Sequence, residues 1–496
     1  MLFNSTEFIF VFLPITFFLY FFLNKKRLTK ASKGLLVFSS LVFYSWWNVI
    51  YLPLILGSML FNYILGDSLA RDNLNKKNLI PRKMLLIFGI SMNILLLGYF
   101  KYADFFIDNI NLLMDGNIAL FNLALPLAIS FFTFQQIAYL VDSYKRETNE
   151  YDFLNYAVFV SFFPQLIAGP IVHHKEMMPQ FENKRNMIIN YRNILIGLFI
   201  FSIGLFKKVA LADTFAIWAN SGFDDALFLT FFEAWATSLS YTFQLYFDFS
   251  GYCDMAIGLA LLFNIKLPIN FNSPYKARNI QDFWRRWHIS LSKFLRDYIY
   301  IPLGGNKKGN LSTYNNLMLT FIIGGFWHGA GWTFLFWGFL HGLALSVHRI
   351  FSNLGFKLWD WLAWVITFNF VNIAWVFFRA KEWEDAIKVL KGMISIDSMI
   401  LPSYLANKFA ILESYSFSYG GVFENINAGK EIAVWIFVSL LVVFFTKNSI
   451  ELIKYPTLLK KGEITYMKTI YYAFILLIGL AVMSLQVYTE FIYFNF

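Results

Sequence analysis

Apolar residues run in blocks of roughly twenty, separated by short basic stretches; that is the length a helix needs to cross hydrocarbon. The first block covers residues 8–23 and is followed by Lys25, Lys26, Arg27, Lys30 and Lys33. With no Lys or Arg before it and no small-residue cleavage site after it, the block reads as an uncleaved span. The charge asymmetry places the N-terminus outside and the basic run in the cytoplasm. Residues 34–65 are too long for one crossing and basic on both flanks, which predicts two short helices turning near residues 46–51. Residues 84–100 lead out and 119–141 lead back. Residues 156–172 contain Phe163-Pro164 and Gly169-Pro170; proline breaks the backbone ladder, so this stretch is a re-entrant hairpin or an exception to the charge rule.

Further on, residues 193–219 read as one span, and 227–267 as two with a break near Ser250-Gly251. Residues 317–347 form a hairpin and 362–378 a span. Residues 383–393 place Trp383, Ala386, Ile387, Leu390 and Met393 on one helical stripe, the pattern of a helix lying in the interface. An exposed loop extends from there to residue 430, and 432–446 and 467–487 are the last spans. The expected fold is all-α, one polytopic membrane domain over 1–496 with about eleven to thirteen spanning or re-entrant helices. No internal repeat is visible.

Composition fits this picture. Hydrophobic residues make up 58% of the 496 and charged residues 15%, against about 25% charged in soluble domains. The net charge of +10 sits in short loops, so it reads as membrane orientation and not as a nucleic-acid surface. The single cysteine, Cys253, excludes an internal disulfide and leaves a thiolate zinc site without ligands; no metal centre is expected.

Four stretches carry candidate chemistry. In 279–300, Phe283, Trp287, Leu291, Phe294 and Tyr298 recur at helical spacing, with Arg285, Arg286, Lys293 and Arg296 opposite and Asn279 and Asp282 at a cap position. An interfacial helix follows, with His288 at the edge of its apolar face and the arginines as lipid-phosphate anchors. In 317–347, Lys307 and Lys308 precede the segment and Arg349 follows it, so both ends face the cytoplasm. His328 then stands near the apex, about 17 Å above Leu317. Gly324 and Gly325, one turn earlier, permit close approach of a helix or ligand. An ionisable side chain at that depth is a functional hypothesis, and a neutral imidazole there suits a general base; a histidine hydrogen-bonding between helices is the bland alternative. His341 reads as packing. In 243–255, Asp248, Ser250, Tyr252 and Asp254 interrupt an apolar run; they pair with the arginines near 285 or line a polar passage. In 303–309, LGGNKKG is a solvated turn or a loose phosphate loop containing Lys307.

The blocks YFDFSGYCDMAIG, DFWRRWHISLSKFLRDYIYIPLGGN and GGFWHGAGWTFLFWGFLHG resemble the membrane-bound O-acyltransferases, and within them the bacterial branch with the alginate and peptidoglycan O-acetylation membrane subunits. SFFTFQQIAYLVDSYKRE, SFFPQLIAGPIVHHKEMMPQF and WVFFRAKEWEDAIKVLKGM resemble the same branch. The resemblance covers most of residues 30–395. It implies a helix bundle around a funnel or tunnel in the bacterial inner membrane, with His328 at the family's catalytic histidine and His288 at its second characteristic polar position. It also implies acetyl-CoA or another acyl thioester as donor, no bound cofactor, and a separate extracytoplasmic O-acetyltransferase partner that esterifies a polysaccharide hydroxyl. Arg285, Arg286, Trp287, Trp327, Gly324, Gly325, Asp248, Ser250 and Lys307 are the candidate donor- or substrate-binding residues. Peptidoglycan is favoured over alginate on its prevalence alone. The rival readings are a transporter or flippase using Asp248, Asp254 and His328, a teichoic-acid D-alanylation relative, and a scaffold that recruits an enzyme through residues 394–430.

Overall fold

A computed structural model describes residues 1–70, 81–148, 152–406, 418–453, 466–485 and 492. A π-helical turn, Phe8–Phe12, leads into α1 (Leu13–Lys25). The expected hairpin follows as α2 (Thr29–Ser45), a turn at residues 46–48, and α3 (Leu52–Ala70). Helix α4 (Arg82–Leu97) does not stop where its apolar run does. A π-turn, Gly98–Tyr102, carries it into α5 (Ala103–Met114), so the expected span 84–100 is part of a 33-residue helix. Helix α6 (Ile129–Tyr144) begins ten residues later than expected. Pro126 and the left-handed Ala128 explain the late start, because neither allows a regular helix through them.

The basic ends of these helices meet. Arg82 donates to the carbonyls of Leu69 and Tyr144, and Lys33 donates to Asn155 Oδ1. Arg82 thereby ties the ends of α3, α4 and α6 together, and Lys33 ties α2 to the segment that starts at residue 153.

Residues 156–172 do not form one continuous helix. Helix α7 (Phe153–Ser161) gives way at Phe162 to one turn, α8 (Phe163–Leu166), and then to irregular backbone, and residues 155–172 are all buried. Side chains satisfy the freed backbone groups. Gln135 and Gln165 both donate to Phe159 O, Ser40 Oγ accepts from Phe163 N, and Ser290 Oγ accepts from Ile171 N. Broken backbone at membrane depth is tolerated where protein covers it in this way.

Helix α9 (His174–Glu182) precedes a second long helix, in which α10 (Tyr191–Phe206), a π-turn Lys207–Ala212, α11 (Asp213–Asn220) and a π-turn Ser221–Asp225 run on without a break. The expected pair of spans in 227–267 is one unbroken helix, α12 (Phe231–Leu262), whose apolar window is wholly buried. Gly251 does not break it. A methyl group there would come within 2.8 Å of Gly204 O, and one on Gly258 within 2.5 Å of Gly197 O. The glycines of α10 and α12 are spent on helix contact, as small residues are in membrane interfaces.

Next come α13 (Ile280–Arg286) and α14 (Ile289–Leu295), then α15 (Asn310–His328), α16 (Trp332–Asn353) and α17 (Asp360–Arg379). The amphipathic α18 (Trp383–Ile394) packs on protein more than expected. Ala386, Val389, Gly392 and Met393 are buried, with Gly392 against Leu229 and Ala234 of the α12 region. Trp383 and Ile387, on the stripe expected to lie in the interface, are exposed. The loop after α18 holds a short parallel pair, β1 (Ile400–Pro402) with β2 (Ser418–Gly420); part of the expected exposed loop lies outside the described residues. Helices α19 (Glu431–Phe445), α20 (Ser449–Ile453) and α21 (Tyr466–Leu485) follow. Among the described residues seven helices are long and apolar enough to cross a bilayer. Helices α2, α6, α15 and α19 are shorter or more polar.

Candidate active site

Residues 279–300 do not form one interfacial helix. Asn279 Oδ1 accepts from Asp282 N, as its cap position predicts, and α13 starts there. It stops at Arg286. Trp287 is extended, and His288 takes a left-handed conformation at φ 42°, ψ 55°. That region costs a non-glycine residue about 1–2 kcal/mol, and its surroundings hold it there. Asn272 N donates to Arg286 O, Ile289 N to Asn270 O, and Ser290 N to Asn270 Oδ1. The bend turns His288 fully inward, to 0% exposure, with its ring 4.7 Å from Phe249. Among the described residues neither of its ring nitrogens has a hydrogen-bond partner.

The hairpin at 317–347 is present. Helix α15 ends on His328, residues 329–331 turn, and α16 returns. The helix starts at Asn310, earlier than expected, so the apex stands about 27 Å along it and not 17 Å. Gly325 sits on the backbone of Phe334 and Gly338, which lets the two legs touch. The His328 ring lies 4.9 Å from Trp327, 5.3 Å from Trp337 and 5.1 Å from Phe378, in edge-on arrangements. It is 4% exposed. Trp337 stacks on Trp375, which contacts Trp287, the residue before His288. His288, Lys101 and His341 all lie within electrostatic range of the His328 ring. The structure thus brings the two histidines, Trp287 and Trp327 into one aromatic-walled centre.

Beside this centre is a cavity of about 890 Å³. Arg285, Lys293, Arg296, His348 and Arg349 line it, with Trp284 on its wall. From α15 it takes Leu317, Thr320 and Phe321. Gly324 and His328 continue the same helical face beyond them, at spacings of three and four. Gly324 presents no side chain, and a methyl there would meet Leu295 Cδ1 at 3.2 Å. A basic chamber large enough for a nucleotide-sized molecule and an enclosed imidazole therefore lie along one face of one helix.

Other candidates lie elsewhere. Arg286 pairs with Asp282 at 2.9 Å and reaches Asn272 O, so it serves the bend, whereas Arg285 is exposed to the cavity. Lys307 is exposed on its turn and does not line the cavity, although its neighbour Asn306 does. Asp248 and Asp254 do not pair with the arginines near 285. Lys208 sits 2.7 Å from both Asp248 and Asp213, and Lys207 sits 2.7 Å from Asp254. Ser250 is buried beside them on α12. Two lysines on a π-turn are the nearer cations, a juxtaposition that spacing along the chain does not reveal. His341 accepts a hydrogen bond from Trp284 Nε1 and packs, as expected.

Sequence reasoning passed over Trp337, Trp375 and Phe378, whose pattern is that of ordinary core aromatics. It also passed over Lys101. Lys101 lies just past the expected span 84–100; in the continuous helix it is an intrahelical cation, and that is the signal that marks it.

The model of the membrane-bound O-acyltransferase family matches residues 117–381. A peptidoglycan O-acetyltransferase from Helicobacter pylori is 50% identical over 526 aligned positions, spanning 100% of this chain and 98% of the relative. A probable alginate O-acetylase from Pseudomonas aeruginosa is 41% identical over 402, covering 80% of this chain and 75% of the relative. A teichoic acid D-alanyltransferase from Bacillus subtilis is 30% identical over 292, covering 53% and 71%. The matched stretch contains α13 to α17, with both histidines, the basic cavity and the apex of the hairpin. The chain is an integral membrane acyltransferase and belongs to the membrane-bound O-acyltransferase family.

Proposed function

We propose that this acyltransferase takes an acetyl group from acetyl-CoA on the cytoplasmic side of the bacterial inner membrane and delivers it for O-acetylation of a cell-envelope polysaccharide, peptidoglycan in the first instance. The observation that carries the reading is His328 at the hairpin apex, enclosed by Trp327, Trp337 and Phe378 and placed on the same helical face as a basic cavity of about 890 Å³. The match over the whole chain to a peptidoglycan O-acetyltransferase supports the choice of polymer.

In this mechanism Arg285, Lys293 and Arg296 meet the phosphates of the donor, with charge-assisted hydrogen bonds as the binding term. The acetyl thioester lies along α15 past Gly324. A ring nitrogen of His328 takes the proton of an acceptor hydroxyl as its oxygen attacks the thioester carbonyl. The C–S bond then breaks, and the departing thiolate recovers the proton. Exclusion of water and fixed orientation supply much of the rate. His288, held rigid by the bend, orients a reactant. The acceptor hydroxyl belongs to the polymer or to an extracytoplasmic transferase that passes the acetyl group on, and the N-terminus faces the extracytoplasmic side.

The rival transporter needs Asp248 and Asp254 as a polar pathway, but Lys208 and Lys207 neutralise both. The test is a His328→Ala variant at normal membrane abundance, measured for thiol release from acetyl-CoA and for ester-linked acetate in isolated cell wall. Loss of both supports the proposal, and full acetylation refutes it. Retained thiol release without wall acetate would assign the acetyl group to another acceptor.

A further inference from the structure

An α-helix leaves its last four carbonyls without intrahelical partners. On α15 these belong to Gly325, Phe326, Trp327 and His328, and all four are occupied. Gly329 N donates to Gly325 O. Tyr102 Oη donates to Phe326 O at 2.8 Å. Lys101 Nζ donates to Trp327 O at 2.6 Å and to His328 O at 3.0 Å, and it reaches Ser130 Oγ at 3.3 Å. Its polar partners among the described residues are therefore the two carbonyls and a hydroxyl.

Lys101 and Tyr102 belong to the π-turn Gly98–Tyr102 that joins α4 to α5. A π-turn inserts an extra residue and re-aims the neighbouring side chains, and such turns are frequent at functional sites. Here it directs two successive donors at the end of another helix, while Tyr102 also stacks on Phe326 at 4.2 Å. A cation at a helix C-terminus opposes the partial negative charge of the helix dipole, and the effect is confined to the last turn. His328 is in that turn.

We infer that Lys101 is the positioning residue of the reaction, fixing the backbone of His328 and screening the helix terminus beneath its ring. Lys101 does not touch the reacting atoms and acts through His328. The inference rests on His328 being the base. Without the ammonium, the carbonyls of Trp327 and His328 lose their donor in a buried site, the last turn relaxes, and the ring leaves its place between Trp337 and Phe378. A displacement of about 1 Å at a reacting group lowers a rate by roughly 100-fold.

The test uses the full chain in native membranes, with acetyl-CoA as the probe and thiol release as the readout. Lys101→Met is expected to lower kcat about 100-fold while leaving KM for acetyl-CoA unchanged, because the basic cavity is intact. Tyr102→Phe, which removes one neutral donor and no charge, is expected to lower kcat less. Lys101→Gln keeps a donor without the charge and decides the matter should the Met variant fail to insert; its kcat is expected to fall with KM unchanged. Parental kcat in whichever lysine variant inserts would overturn the inference, as would equal falls for Lys101 and Tyr102 variants that track loss of thermal stability. His328→Ala is run alongside. If it retains activity, the proposed base is wrong; if it is inactive while Lys101→Met is not, only the positioning role fails.

Discussion

The decisive perturbation for Asp248 is removal of its partner. Lys208 is 3% exposed, Asp248 1% and Asp213 8%. The ammonium sits 2.7 Å from an oxygen of each carboxylate, and the other oxygen of Asp248 accepts from Ile492 N at 3.0 Å. Lys208→Met keeps the apolar stem and leaves two buried carboxylates without their shared cation. At an effective dielectric of about 20, each contact at that distance represents about 6 kcal/mol of Coulombic attraction before desolvation is counted. Dehydration of the ions consumes much of this, and breaking a buried pair by removing one partner costs about 3–5 kcal/mol. Unfolding of the purified full-length protein in detergent, followed by the fluorescence of its 15 tryptophans, should show a loss of that size. Asp248→Asn added to Lys208→Met should restore about 1–3 kcal/mol, the coupling found for residues in one network. A Lys208→Met variant that unfolds at the parental midpoint would refute the reasoning, as would a double variant less stable than the single. Acetylation retained by the double variant at permissive temperature would make Asp248 a strut of the bundle and not a substrate contact.

Two further outcomes follow from the geometry. Gly338→Ala drives a methyl into Phe321 O at the contact of α15 and α16 and should cost about 1–3 kcal/mol, whereas Gly331→Ala, with nothing closer than 3.5 Å, should fall within about 0.5 kcal/mol of the parent in the same unfolding assay. Arg285→Ala should raise KM for acetyl-CoA roughly 10-fold, with less effect at high salt, while Arg286→Ala should leave KM alone and lower the unfolding midpoint, since Arg286 is tied to Asp282 and Asn272. The reverse pattern would exchange their roles.

The sequence by itself determined the class of the molecule, because burial in lipid is written in composition and block length. It gave the helix pair meeting at residues 46–51 and the hairpin that ends on His328, since basic flanks and glycines mark those features locally. The family blocks named the acyltransferase. The tertiary structure decided what depends on residues far apart in the chain. Ser250-Gly251 is uninterrupted helix because Gly204 on another helix packs against it. Asp248 pairs with Lys208, forty residues away, and not with the arginines near 285. The helical period through 279–300 is interrupted at His288 because Asn270 and Asn272 bond the backbone of the bend. Periodicity reports which face of a helix is apolar; it carries no record of whether a partner strand of chain will pull one residue out of the helix. Lys101 shows the same limit. Its charge is visible in the sequence, but only the fold brings it to the carbonyl of His328, more than two hundred residues away.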